Sequence, residues 1–554
     1  MKRGSLIILA VMMTVSMLIF SSGSNVFAAT YPDTVKIGLY YGSDAVPSVS
    51  FNSKSGLEIG SFSGGIFTKI LTENAGLSTI FRKDAYFIKS VKGVTSEYNP
   101  AEGVPFEGEA IGPYHIQFGS SVPDYNSAVS MVEVIKKSGI IAYPVYENGW
   151  FVWTGFYPDP EKANSGLITI ADKLGTSSLS VIPPSSSRVV VLNASYEPRL
   201  IFGDSNSKLR IKPNDANNPY ALSVNGRQYR GDFEIRRYLD SDLTVINILN
   251  IEQYLYGVVP EELEASAPIE ALKAQAVAAR TYTYMNMGKY GKWGFDLSDT
   301  TSSQVYSGYD AEKPATNVAV NDTQGKKVLY NGKLASLFYF SSSGGLTEDN
   351  VYVWGNDVPY LKSVPDPYES GKSYNYNWTK AFTAEQIKQI LFLSGIEIGD
   401  IVSVTAEQYS PAGRVTQLKF VGTEGQLTYY RDDGKTLMGL PSQLYTINSG
   451  SAGSNFATNS NGSLTAVNLT GATVVSADGT GTLSQSASIS VVDSSGVSVL
   501  SATSGTGTAG TFIFTGKGWG HSIGMSQEGA KGFALQGFTY DQILMHYFTG
   551  VTVE

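Results

Sequence analysis

Cysteine is absent from this chain of 554 residues, and only three histidines occur in it. The first absence excludes disulfides and thiolate metal sites, so stability has to come from buried apolar surface. The second leaves little room for a histidine metal cluster, and no metal or other cofactor is expected. Charge is scarce as well: 16% of residues are charged, and the formal net charge is −9. Neutralising nucleic-acid phosphates needs a basic stripe, and none is visible, so no nucleic-acid partner is expected. Long apolar runs are missing apart from Leu6 to Phe20, which falls short of the roughly 20 residues that span a bilayer. That run follows the basic start MKRG and precedes the small-residue site Val26-Phe27-Ala28. It reads as a secretory signal over residues 1–28, cleaved after Ala28, with retention as an uncleaved anchor as the alternative and as the one membrane link.

Glycine (58), tyrosine (34) and serine are plentiful, which favours turn-rich β structure, and the length suggests three or four domains. Residues 29–110 alternate apolar and polar positions, as in TVKIGLYYG, and read as short strands of an N-terminal β-rich region. Residues 112–184 change texture. YHIQFG is a strand, DYNSAVSMVEVIKKSG a helix with Ala128, Val132 and Ile135 on one face, and AYPVYENGWFVWTGFY a hairpin turning at Asn148-Gly149. A second helix and a last strand, SSLSVIP, complete the order β-α-β-β-α-β, one small sheet with helices on one face. Residues 189–448 hold dense alternating strands around one alanine-rich helix and form the main domain. Residues 449–510 are rich in Ser, Gly and Thr and read as a weakly packed β insertion. Residues 511–554 are too short to hold a core and must fold back onto the main domain. The fold class is therefore α+β and multidomain.

From Val258 to Tyr284 the sequence reads VVPEELEASAPIEALKAQAVAARTYTY. A helix from about Pro268 to Met287 is expected, capped by Ser266, with Ile269, Leu272 and Ala276 as its buried stripe. Arg280 lies on the same side as Ala276, so it needs an anionic or carbonyl partner and either ties the helix to a loop or reads a ligand charge. Ahead of the helix, Glu261, Glu262 and Glu264 sit in an expected loop at the edge of a cleft.

This stretch, followed by DTTSSQVYSGYD, LASLFYFSSSGGLTED, VPYLKSVPD and GKGWGHSIGMSQEGAKG, resembles the SpoIID/LytB family (stage II sporulation protein D and amidase-enhancer relatives) in five blocks and in order. The block 112–184 is similar to a SPOR-like domain. There the run Trp150, Phe151, Trp153, Phe156, Tyr157 either stacks on sugar rings or fills the sheet's inner face. The family resemblance implies a peptidoglycan lytic transglycosylase with Glu262 as general acid and then base. Glu264 and Ala267 stand where the family pattern has proline and tryptophan. Further implied contacts to the glycan are Arg280, Gln304, Tyr306, the segment Ser341, Ser342, Ser343, the pair Tyr360 and Lys362, Trp519, His521, Ser526 and Gln527. Gly344-Gly345 also reads as a plain turn, and His521 as a strand-end cap. Relatives that hold zinc do so near S-x-x-G-G through Cys and His; here that segment carries serines, so no zinc is expected. Implied partners are glycan strands of the cell wall, outside the cytoplasm, and a cell-wall amidase. The competing readings are a non-catalytic amidase enhancer or wall scaffold and, more remotely, a structural spore component.

Overall fold

Alternating β-branched and aromatic residues build two large sheets that share strands from distant parts of the sequence. The structure, a computed structural model, describes residues 31–554 except 91–92, 105–107, 216–221, 239–240, 375 and short stretches between 450 and 509. The expected signal segment lies outside the described residues. Among the described residues, no helix is long and apolar enough to cross a membrane.

The first sheet runs Leu297–Ser298, Thr34–Tyr40, Leu243–Asn250, Asp232–Arg237, Lys208–Pro213, Leu57–Ser63, Ile66–Glu73. The second runs Leu179–Ile182, Tyr114–Phe118, Trp150–Tyr157, Ala142–Tyr146, Pro198–Phe202, Val189–Leu192, Thr79–Lys83, Ser48–Asn52, Leu222–Val224, Arg227–Tyr229. The boundaries expected at 110 and 189 are therefore not boundaries between sheets. Lys208–Pro213 lies between Leu57–Ser63 and Asp232–Arg237, and Val189–Leu192 pairs with Thr79–Lys83. Each strand's apolar face needs neighbours on both edges, and the chain supplies them from both sides of the intervening block.

That block has the expected order β-α-β-β-α-β, with helices Tyr125–Lys136 and Pro160–Leu174 started by the side chains of Asp124 and Asp159. Ala128, Ile135 and Ile170 seat the helices on Ile116 and Val152. The sheet's other face is buried as well, with Tyr143, Val145 and Trp153 packed against Val190 and Ile201. Of the two readings of the aromatic run, Trp153 takes the interior one, with Arg188 4.7 Å above its ring. Ala142–Tyr146 continues the sheet by parallel pairing with Pro198–Phe202.

The alanine-rich helix spans Ile269–Met285, starting one residue later and ending two residues earlier than expected. Ser266 does not cap it; Pro268 holds the cap position without a side-chain bond, and its fixed φ suits the entry. Ala271, Ala274, Ala276, Ala278 and Ala279 are wholly buried, so neighbouring elements approach the helix closely. Ile269 is exposed, and Leu272 and Ala276 carry the buried stripe without it.

The C-terminal segment does fold back. Thr511–Lys517 pairs with both Asn377–Thr383 and Tyr445–Ser449, and joins a second core of Trp378, Ile387, Leu391, Phe420 and Phe514. In the 449–510 region the described backbone forms three hairpins, Asn455–Ser460 with Ser463–Asn468, Thr473–Ser476 with Gly479–Thr482, and Ile489–Asp493 with Gly496–Leu500. Helices Gln527–Leu535 and Tyr540–Tyr547 then pack on the Ile269–Met285 helix. A side chain at Gly529 has no room: its Cβ would lie 2.1 Å from the Tyr547 hydroxyl and 2.2 Å from the Asp366 carboxyl oxygens. Gly529→Ala is expected to lower stability by at least ~1–3 kcal/mol, read as a fall in urea midpoint without a change in slope.

Candidate functional site

Glu262 closes a four-residue helical turn, Val259–Glu262, rather than lying in the expected loop. Its amide donates to Val258 O at 3.2 Å, and the Leu263 amide donates to Val259 O at 3.0 Å. Val258, Val259 and Leu263 are buried in the main core, so the turn is anchored by its apolar residues while the Glu262 side chain is half-buried. Burial pushes this carboxyl above the usual carboxylate range. Hydrogen bonds from the Tyr339 hydroxyl and the Gln527 amide pull the other way, nearby Glu261 raises it further, and the Val305 backbone N–H lowers it.

Behind these partners lies a layer of buried amides and hydroxyls. Gln304, almost fully buried, donates to the Tyr339 hydroxyl at 3.0 Å and accepts from Thr283 Oγ1 at 3.0 Å and Tyr254 Oη at 3.4 Å. Gln527 Nε2 also approaches Gln275 Oε1 at 3.5 Å, and Gln275 is wholly buried. Strand Tyr339–Phe340 is fixed beside Met525–Ser526 by parallel pairing. His521 adds a third tie. Its Nδ1 accepts from the Ile523 amide at 3.0 Å, and it bonds the Tyr339 backbone among the rings of Phe338, Phe340 and Trp354. Burial lowers His521 to about 4, so it is neutral and acts as the strand-end cap of the two readings, bearing on the site through Tyr339.

The departure Glu264 also has a physical role. Its carboxylate meets Lys531 at 2.8 Å, and Lys531 meets Glu528 at 2.7 Å, so the turn bearing Glu262 is tied to the helix that begins with Gln527. Ala267, at the other departure, packs against the main core.

Other expected contacts are placed differently. Arg280 is fully buried: Nε and Nη2 grip Glu252 at 2.9 and 2.6 Å, and Nη1 and Nη2 donate to Lys326 O and Val320 O at 3.2 Å. This corrects the charge-reading role, because a guanidinium shielded from solvent and held by five bonds has nothing to offer a ligand. Tyr306 is likewise no stacking face; it is buried against Tyr254 and Tyr229, and its hydroxyl donates to Asn247 Oδ1 at 3.0 Å. Tyr360 packs on Tyr330 and accepts from the Ser336 amide at 2.9 Å. Lys362 pairs with Asp349 at 3.1 Å and with Asp357. Ser526 is buried and caps the Gln527–Leu535 helix through the Gly529 amide at 3.0 Å.

The segment Ser341–Gly345 holds carboxylates of its own. Ser341 O accepts from the Glu528 amide at 2.9 Å, and Ser342 Oγ bonds Glu369. Ser343 Oγ lies 2.8 Å from both Asp366 Oδ2 and Glu369 Oε2, and it accepts from the Gly345 amide at 2.9 Å. A hydroxyl has one proton to give, so Ser343 can donate to only one of the two at a time, and burial pushes both carboxyls above the usual carboxylate range. Glycine is required at 344 and 345, where φ is 74° and 107° and the Gly344 amide reaches Glu369. Trp519, 40% exposed, exchanges backbone bonds with Ser342 and stands 6.5 Å from the ring of Tyr374.

Tyr339, Gln275 and Thr283 belong to this cluster and were not singled out as site residues from sequence. Gln275 could have been: it is the one long amide on the alanine face at i+4 from Ala271, where a polar group demands a partner.

Glu262 is thus a raised carboxyl met by one phenol, one side-chain amide and one backbone N–H, with buried Gln304 and Gln275 behind them, an arrangement that can hold and release a proton. The family profile described as SpoIID, Stage II sporulation protein, matches residues 239–330. The chain is 33% identical over 360 residues to an amidase enhancer of Bacillus subtilis, covering 64% of this chain and 47% of that protein. It is 30% identical over 333 residues to an uncharacterized protein of Brachyspira hyodysenteriae, covering 60% and 74%, and 29% identical over 334 residues to stage II sporulation protein D of Bacillus subtilis, covering 57% and 78%. The chain belongs to the SpoIID family. The match spans about half the length of the amidase enhancer.

Proposed function

We propose that this is an exported lytic transglycosylase that cuts peptidoglycan glycan strands between N-acetylmuramic acid and N-acetylglucosamine, with Glu262 as its single acid and base. The observation that carries this reading is the Glu262 carboxyl, raised by burial yet met by three hydrogen-bond donors. Burial favours the protonated form of Glu262, the form that can give a proton to the glycosidic oxygen. Once the proton has moved, the Tyr339, Gln527 and Val305 donors already in place stabilise the carboxylate that the reaction creates. That carboxylate then accepts the proton of the C6 hydroxyl of N-acetylmuramic acid as its oxygen attacks the anomeric carbon, closing a 1,6-anhydro ring. Because the substrate brings its own nucleophile, a second carboxylate of the kind other glycosidases use is not needed. The preference for amidase-denuded strands expected from Arg280 and Lys362 rests on Lys362 alone, one-third exposed and already paired with two aspartates.

The similarity to an amidase enhancer of Bacillus subtilis supports a second reading, in which the same cleft binds glycan and stimulates an amidase without cutting. Incubating the secreted chain with denuded glycan strands and examining the products by mass spectrometry separates the two. Anhydro-muramyl ends are the expected product. Bound but uncut strands, together with faster release of stem peptides by an added amidase, would support the second reading.

A further inference from the structure

We propose that Tyr339 is the positioning residue of the site: a one-way hydrogen-bond relay commits its hydroxyl proton to Glu262 and so fixes which edge of that carboxyl carries the transferable proton. The inference rests on the acid and base reading of Glu262 and adds how the acid is aimed.

The direction of the relay follows from counting donors. Gln304 Nε2 faces Ala279 O at 3.4 Å as well as the Tyr339 hydroxyl at 3.0 Å. A backbone carbonyl only accepts, so the amide group facing it is the NH2, and the side-chain oxygen points the other way. That oxygen takes its proton from Tyr254 at 3.4 Å or Thr283 at 3.0 Å; the Thr283 proton also has Ala279 O within 2.9 Å. Tyr339 thus accepts from Gln304, and a phenol has one proton. The remaining bond of its oxygen, to Glu262, is a donation.

An ionised carboxyl offers about four lone-pair positions. Glu262 meets three donors, Tyr339, Gln527 and the Val305 amide, each taking one of these positions in the proposed arrangement. When Glu262 is protonated, its proton can reside only at the fourth, because each of the other three faces a donor. The glycosidic oxygen has to arrive at that position. The relay is held rigidly: Gln304 and Thr283 are buried, and the Tyr339 backbone is pinned by the Met525–Ser526 strand and by His521.

Titratable groups facing Glu262 are Tyr339, Glu261, Tyr254 and Tyr282, and Asp299 faces Tyr254. The tyrosines are raised by burial and stay neutral through the working range. Removing the Tyr339 donor takes away a bond to the charged form, so Glu262 holds its proton to higher pH. In Tyr339→Phe the alkaline limb of the glycan-cleavage profile is expected to move up in pH, and kcat to fall about 10- to 100-fold, the loss of one hydrogen bond to a charged group. Gln304→Met leaves the phenol in place without its director and is expected to shift the same limb the same way by less; it also serves if Tyr339→Phe does not fold. A merely structural role lowers kcat equally at all pH and leaves the limb where it was, which overturns the proposal. Carbon-13 titration of the Glu262 carboxyl reads the same shift without any substrate. An upward shift there in a chain that never cuts glycan keeps the relay and overturns the acid and base reading instead. An unmoved carboxyl midpoint in both variants overturns the relay.

Discussion

Glu262→Gln is expected to reduce the formation of anhydro-muramyl ends by at least about 10²- to 10⁴-fold, the usual contribution of one positioned acid or base. The amide keeps the size of the side chain and one oxygen that can accept from Tyr339 or the Val305 amide, but it has no proton to deliver to a glycosidic oxygen. Binding is expected to survive, since the neighbours that shape the site are anchored elsewhere: Gln304 to the Ile269–Met285 helix, and Tyr339 to the Met525–Ser526 strand. Pull-down on denuded strands therefore stays near the wild-type level while cleavage is lost. Loss of both together would mark Glu262 as a structural residue and would falsify its role as the acid.

The same substitution has a stability counterpart with a definite sign. Burial raises the folded-state Glu262 above its unfolded value, so the folded chain binds this proton more tightly than the unfolded one. Its stabilising effect is complete below the unfolded value near 4.5 and is lost as pH rises from there through the folded value. At neutral pH the buried charge is a cost, and Glu262→Gln is expected to raise Tm there, with the gain shrinking as pH is lowered towards 4. A carboxyl that makes a folded protein less stable at its working pH is the signature of a group retained for chemistry.

How much of this was legible in the sequence differs from residue to residue. Glu262 could be singled out from Glu261 and Glu264 only because the stretch around it, from the valines before to the alanine helix after, resembles the SpoIID/LytB pattern. Tyr339, Gln304 and Gln527 meet it from three separate segments, and only folding brings those together. Their types, a phenol and two amides, give no local signal. Arg280 was legible in need and not in answer. Its place on the alanine face required an anionic or carbonyl partner, and it has both; but Glu252, 28 residues earlier in another helix, could not be told apart from a ligand's charge. The β-α-β-β-α-β order was readable from alternation and from the Asp124 and Asp159 caps. Its fusion into a ten-stranded sheet was not, because the parallel pair Val145 with Ile201 leaves no trace in either strand. Ile269 was assigned to the buried stripe by periodicity, yet it sits in the helix's first turn, where no neighbouring element covers it.

Arg280→Ala is expected to destabilise the fold by about 3–5 kcal/mol, the cost of leaving one member of a buried ion pair alone. Glu252, only 14% exposed, would lose three charge-assisted bonds and keep the Gly325 amide at 3.2 Å as its partner. The Val320 and Lys326 carbonyls would lose theirs at the same time. Urea unfolding should show the whole loss in the midpoint, with catalysis per folded molecule and KM for denuded strands close to wild type. If Arg280 read a lactyl carboxylate, the pattern would invert: unchanged stability and a raised KM. The double variant Arg280→Met with Glu252→Met separates charge from packing. It removes both ions and keeps two long apolar chains in their place, so it should regain most of the lost stability. That recovery would fix Arg280 as the tie between the Ile251–Tyr256 and Ile269–Met285 helices, and leave the reading of substrate charge to groups that water can reach.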